Sequence, residues 1–131
     1  MTPDPDARLW EALDRLVASS RVVIDRPAGS RHPRFPEVVY PLDYGYLAGT
    51  TAADGNGIDV WVGSAEEHGV VAIACTLDLL KRDLELKILL SCTETEAERI
   101  LQFHNTEKMQ VAYLIRRPPP SGEGNEEVDS Q

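Results

Sequence analysis

Carboxylates set on strands and turns dominate the chemically competent residues of this chain: Asp25, Asp43, Asp54, Asp59, Asp83 and Glu85. Basic and phenolic donors lie near them in sequence: Arg31, Arg34, Tyr40, Tyr44 and Lys87. Carboxylate and water oxygens are the ligands of Mg²⁺ or Mn²⁺, which keep several waters and share phosphate oxygens with a substrate. Such cations combined with Arg, Lys and Tyr donors are the equipment of metal-assisted phosphoryl transfer. Other common machinery is missing from the sequence: there is no Gly-rich phosphate loop ending in Lys-Ser/Thr, no HExxH, no paired-cysteine metal clip and no G-x-S-x-G elbow.

The densest part is Val38 to Ser64, VVYPLDYGYLAGTTAADGNGIDVWVGS, which reads as strand, turn and strand. In an extended chain the even spacing of Tyr40, Tyr44 and Tyr46 aims all three at one face, with Asp43 on the other. Asp54-Gly55-Asn56-Gly57 turns the chain back, and Ile58, Val60 and Val62 alternate with Asp59 and Trp61. Taken alone, those two dipeptides are ordinary hairpin turn chemistry. Downstream, in DLELKILL, Leu84, Leu86 and Ile88 face one way and Asp83, Glu85 and Lys87 the other.

The surrounding elements must hold this segment. Leu9, Trp10, Leu13, Leu16 and Val17 recur at helical spacing behind Asp4 and Asp6. Arg21–Arg26 reads as a strand ended by Pro27, and PAGSRHPRFPE as a loop in which Arg31, His32 and Arg34 cluster, either as solvated loop residues or as an anion-binding arm. Val70 to Leu80 reads as a strand buried on both sides. Thr93 followed by Glu96 is a capping box opening a short helix that ends at His104, where a structural role at the helix terminus is favoured. QVAYLIRR closes the chain as a strand. The count of about five to six strands with two flanking helices predicts an α+β, mainly β domain, a small antiparallel β-barrel with the helices packed outside.

Composition sets the outer bounds. The 131 residues, 42% hydrophobic, suit one domain over residues 1–117. The stretch 118–131, beginning Pro118-Pro119-Pro120 and carrying Glu123, Glu126, Glu127 and Asp129, has the composition of a disordered acidic tail. A net charge of −9 argues against nucleic acid and anionic membranes as partners. No run approaches the roughly 18 apolar residues of a membrane span, and the acidic N-terminus is unlike an export signal, so a cytoplasmic protein is expected. Cys75 and Cys92 sit in apolar runs, which predicts reduced, buried core thiols.

Tyr40-Pro41-Leu42-Asp43-Tyr44-Gly45-Tyr46, Gly49-Thr50 and Asp54-Gly55-Asn56-Gly57-Ile58-Asp59-Val60 together resemble the core of the soluble family I inorganic pyrophosphatases. That family shows Y-P-x-N-Y-G-[FY], a Gly-Thr pair and D-G-D-P-x-D-V. Asp25-x-Pro27-x-Gly29-Ser30-Arg31 is similar to its acidic residue followed by P-x-G-S-R, and Glu85-Leu86-Lys87 to its D-x-K; the resemblance spans roughly residues 22–105. It implies an OB-like barrel and, as activity, Mg²⁺-dependent hydrolysis of pyrophosphate to two phosphates by a homo-oligomer. It further implies metal ligation by Asp54, Asp59 and Glu85, with Asp25 lining the metal site. Phosphate contacts would come from Arg31, Arg34, Tyr40, Tyr44 and Lys87.

The chain departs from the family pattern where the chemistry is most exacting. Asn56 stands where the family has a carboxylate that takes a proton from the attacking water, and an amide cannot accept that proton. Asp43 stands where the family usually has Asn, so this chain has either rearranged its nucleophile activation, with Asp43 supplying the carboxylate absent at 56, or lost it; Asp43, Asn56, Asp59 and Lys87 are the candidate catalytic set. Phe103-His104 replaces a Tyr-Lys pair, and the hairpin between the basic loop and Tyr40 is missing. The alternative reading is a non-catalytic relative that binds metal or phosphate, or serves as an assembly partner.

Overall fold

The computed structural model describes residues 4–106 and 109–119; most of the expected acidic tail, from residue 120, lies outside the described residues. Two helices cover opposite faces of one six-stranded sheet, with strand order β1-β2-β3-β5-β4-β6. The strands are β1 (Arg21–Arg26), β2 (Asp43–Ala48), β3 (Ile58–Val62), β4 (Val70–Asp78), β5 (Asp83–Leu90) and β6 (Gln110–Arg116).

α1 (Pro5–Ala18) starts at Asp4, whose carboxylate accepts the Asp6 N–H at 3.1 Å, with Pro5 in the first turn where its missing N–H costs nothing. Trp10, 2% exposed, anchors it on Leu47, Val60, Val70, Ile73 and Ile88. Arg117 ties the helix to the end of the chain, donating to both Asp14 carboxylate oxygens at 3.0 and 2.9 Å. α2 (Glu94–His104) begins with the expected capping box: Glu96 N–H donates to Thr93 Oγ1 at 3.1 Å, and Thr93 N–H to Glu96 Oε1 at 2.9 Å. Its apolar side, Ala97 and Ile100, packs on Trp61, Leu89, Ala72, Ala74 and Leu114.

The mainly β architecture with two helices is the expected one, but the sheet is mixed and, among the described residues, open rather than a closed barrel. β3 and β5 run parallel, with Val60 opposite Ile88, while the other neighbours are antiparallel. The cause is the tight β4–β5 hairpin. Residues 63–69 carry the chain past the slot beside β3, and β5 then returns into that slot in the direction of β3.

Gly45 is required by packing. A Cβ there would overlap the Val23 carbonyl on β1, which pairs with β2 here just before its bulge at Asp25. Two expectations change. β4 is buried only to Thr76, since Leu77 is exposed, and of the two thiols only Cys92 is buried; Cys75 lies half-exposed on the α1 side of the sheet.

Candidate functional site

Side-chain alternation on the neighbouring strands β2, β3 and β5 sends Tyr44, Asp59, Trp61, Glu85 and Lys87 to the α2 face. There the Lys87 ammonium reaches three partners at once. Nζ donates to the Tyr44 hydroxyl, Asp59 Oδ2 and Glu85 Oε1, each at 2.9 Å. The lysine side chain is only 8% exposed, whereas those of Asp59 and Glu85 are 30% and 31% exposed, so two carboxylates open outward over a sunken ammonium. Burial works against the ammonium, but Tyr44 and Asp59 more than offset it and hold Lys87 above the ordinary lysine range. Burial, together with the Asp59 charge and against that of Lys87, pushes the Tyr44 phenol up, so it stays protonated.

An aromatic floor supports the cluster. The Tyr44 ring lies 4.6 Å from Trp61 and 5.6 Å from Tyr40, and Phe103 contacts both Tyr40 and Trp61 from the end of α2. Lys87 Nζ is also 5.4 Å from the Tyr44 ring centre. The Trp61 indole N–H donates to His104 Nε2 at 3.2 Å. An indole has only a donor, so His104 carries its proton on Nδ1, which donates to Gln110 Oε1 at 3.2 Å. Burial, then the Lys87 charge, pushes His104 down to about 4. His104 is therefore a structural residue, as favoured, but as a neutral acceptor locking Trp61 rather than as a cation at the helix end. Gln110 gave no sequence signal for this, because it lies on β6 and meets His104 only through the fold.

Other expected site residues lie apart. Asp54 Oδ1 accepts the Asn56 N–H at 2.9 Å within the β2–β3 turn, where Gly55 takes a φ of +88°. Asp54 and Asn56 thus have a local turn role. Thr50 Oγ1 closes the hairpin mouth, donating to the Leu47 carbonyl at 2.7 Å and accepting the Ile58 N–H at 3.0 Å. Asp43 stands at the other end of that hairpin, opposite Val62, where its Oδ1 accepts the Ala28 N–H at 2.8 Å. Position 43 is thereby separated from the turn at 56 by the length of β2, roughly 15 Å at about 3.3 Å per residue.

Asp25 is exposed in the β1 bulge beside Tyr44. Arg31 Nη1 donates to the Pro36 carbonyl at 2.8 Å within its own loop, and Arg34 is exposed. Tyr40 is buried and reaches the cluster through its ring alone. Among the described residues, no three His, Cys, Asp or Glu side chains are grouped to hold a metal ion. Asp59 and Glu85 are brought together by their shared ion pair with Lys87, and carboxylates taken one or two at a time, with waters and substrate phosphate, are the ligand type that Mg²⁺ uses.

Solved structures supply the comparison. The inorganic pyrophosphatase of Neisseria gonorrhoeae superposes with a TM-score of 0.58 at 15% identity, over 73% of this chain and 81% of that one. The fold is that of the inorganic pyrophosphatases. The Thermus thermophilus enzyme gives a TM-score of 0.55 at 19% identity, over 73% and 81% of the two chains. The Coxiella burnetii enzyme gives 0.52 at 17%, over 71% and 81%. No protein-family model and no curated protein matches the chain. On this pyrophosphatase-like fold, no described helix is long and apolar enough to cross a membrane.

Proposed function

We propose that this chain is a Mg²⁺-dependent inorganic diphosphatase, a cytoplasmic hydrolase of pyrophosphate or a related small phosphoanhydride. The observation that carries the reading is the Lys87 ammonium held at 2.9 Å from Tyr44, Asp59 and Glu85 on a pyrophosphatase-like sheet. Asp59 and Glu85 are the proposed principal metal ligands, with Asp54 and Asp25 as further acids at the rim. Arg31 and Arg34 are the proposed outer phosphate contacts, with Tyr40 bordering the site through its ring against Tyr44, and a homo-oligomer is the proposed assembly.

In the reaction, a water oxygen forms a bond to one phosphorus as the bridging P–O bond breaks; one water proton stays on the phosphate so formed and the other passes to the departing phosphate, giving two hydrogen phosphates. Bound Mg²⁺ would polarise phosphoryl oxygens and lower the pKa of the attacking water. Tyr44 donates its hydroxyl proton to a phosphate oxygen, and Lys87, whose three N–H groups are taken by Tyr44, Asp59 and Glu85, does the same once one of those carboxylates is released to the metal or substrate side; negative charge gathers on these oxygens as the bridge breaks. Their donor strength is maintained because both stay protonated through the neutral range. The aromatic floor positions the Tyr44 ring, so its hydroxyl is oriented before substrate arrives.

The test is phosphate release from pyrophosphate with and without Mg²⁺, repeated with Asp59→Asn. Mg²⁺-dependent turnover that disappears in the variant supports the reading, and turnover that is absent or indifferent to metal overturns it. A second reading, a non-catalytic binder of metal or phosphate, draws support from Asn56 and from the lack of a three-acid group among the described residues. Calorimetry showing Mg²⁺ or phosphate binding without turnover selects it.

A further inference from the structure

Away from Lys87, on the α1 side of the sheet, β5, β4 and β6 form a three-by-three grid of uncharged side chains. Register sets Ile88, Ile73 and Ile115 in one row, Leu86, Cys75 and Tyr113 in the next, and Leu84, Leu77 and Val111 in the third. α1 covers only the first two residues of the first row. Beyond them Leu84 is 64% exposed, Leu86 59%, Val111 53% and Tyr113 70%. Taking about 200 Å² for a large side chain, the exposed part of the grid amounts to roughly 600 Å², the upper limit of what monomers leave in water.

We propose that this face packs against the same face of a second copy of the chain. Two such patches bury about 1,200 Å² in total, the lower end of stable specific interfaces. An isologous contact needs one self-complementary surface. An uncharged, apolar grid meets that condition, and the net charge of −9 places no like charges within the contact itself. The remaining sequence suits the face poorly: residues 120–131 carry four acids and one large apolar residue, Val128. A nucleic acid or an anionic lipid surface would find no basic side chain in the grid. Tyr113, midway along the β6 edge of the grid, supplies a large ring with a polar tip, a residue type enriched at interfaces. The inference is independent of the hydrolase reading, since the grid and Lys87 occupy opposite faces of the sheet.

The test is light scattering of the full chain at micromolar concentrations beside Tyr113→Glu and Val111→Glu. The parent is expected at the mass of two chains, or a multiple of it, and the variants at half that mass with unchanged circular dichroism. Maleimide labelling of Cys75 supplies a second readout that needs no variant: it is expected to quicken on dilution, with buried Cys92 as the internal control. A single-chain mass for the parent at every concentration overturns the proposal, as do variants that keep the parent mass or Cys75 labelling that ignores dilution. Phosphate release measured on the same samples separates failure of this interface from failure of the hydrolase reading.

Discussion

Lys87 is the residue on which the proposed chemistry turns. Lys87→Met keeps the aliphatic stem but removes the ammonium, leaving Asp59 and Glu85 side by side without their shared partner. Pyrophosphate turnover is expected to fall by about 10²-fold or more, the scale of losing one preorganised transition-state donor. A rate within a few-fold of the parent would remove Lys87 from the mechanism. Asn56→Asp probes the departure at the turn without disturbing it, because Asp54 accepts the backbone N–H of position 56 and not its side chain. If the missing base limits the rate, turnover is expected to rise by roughly 10²-fold, the lower range of general-base contributions. Steady-state rates of the two variants check both statements.

His104 carries the pH prediction. Its folded pKa, pushed down to about 4 from an ordinary 6.5, means that the unfolded chain takes up this proton first as the solution is acidified. The stability tied to the neutral imidazole is therefore complete above pH 6.5 and is lost progressively as pH falls toward 4. The linked loss across that window is about 3 kcal/mol. In His104→Gln, the urea midpoint is expected to fall less steeply between those pH values than in the parent. Equal slopes would show that His104 is not the group responsible.

At the scale of elements, what matters is how closely backbone segments approach. Gly45 lies opposite Ile24 in the β1–β2 pair, and a methyl group directed at the Val23 carbonyl forces the strands apart. Gly45→Ala is expected to cost more than about 2 kcal/mol, as overpacking does when backbone rather than a flexible side chain must yield. Thr93→Ala removes one half of the α2 capping box and is expected to cost about 1 kcal/mol. Denaturant titration distinguishes the two magnitudes.

Much of this level was legible beforehand. The capping box, the alternation in β5 that sets Glu85 and Lys87 on one face, and the Asp54–Gly57 turn are local patterns. Local patterns survive because the atoms that satisfy them lie within a few residues. The parallel β3–β5 pairing was not legible, because it depends on which slot a returning hairpin fills. The separation of Asp43 from Asn56 was equally hidden, since it follows from hairpin register.

The whole molecule is a sheet with two unlike faces. One carries α2, the aromatic floor and Lys87; the other carries α1 and the apolar grid. That division argues for independence between them. Trp10→Ala, which empties the anchor of α1, is expected to cost about 3–5 kcal/mol of stability. Turnover per folded molecule is expected to stay unchanged, because the sheet stands between Trp10 and the site. A fall in rate matching the fall in stability would show instead that the two faces are coupled.

By itself the sequence determined which residues carry charge and aromatic rings, their alternation along each strand, the two helix starts and the resemblance around Tyr40–Val60. Short-range periodicity and capping suffice for those. Only the tertiary structure decided that Tyr44, Asp59, Glu85 and Lys87 meet at one ammonium while Asp43 accepts a backbone N–H from the loop after β1 and Asp54 one within its own turn. It also decided that His104 serves Trp61 and that the apolar face of β5 continues uncovered across β4 and β6. Those outcomes rest on strand order, and strand order is set by which long-range pairings bury the most surface, a property of the folded chain and not of any window within it.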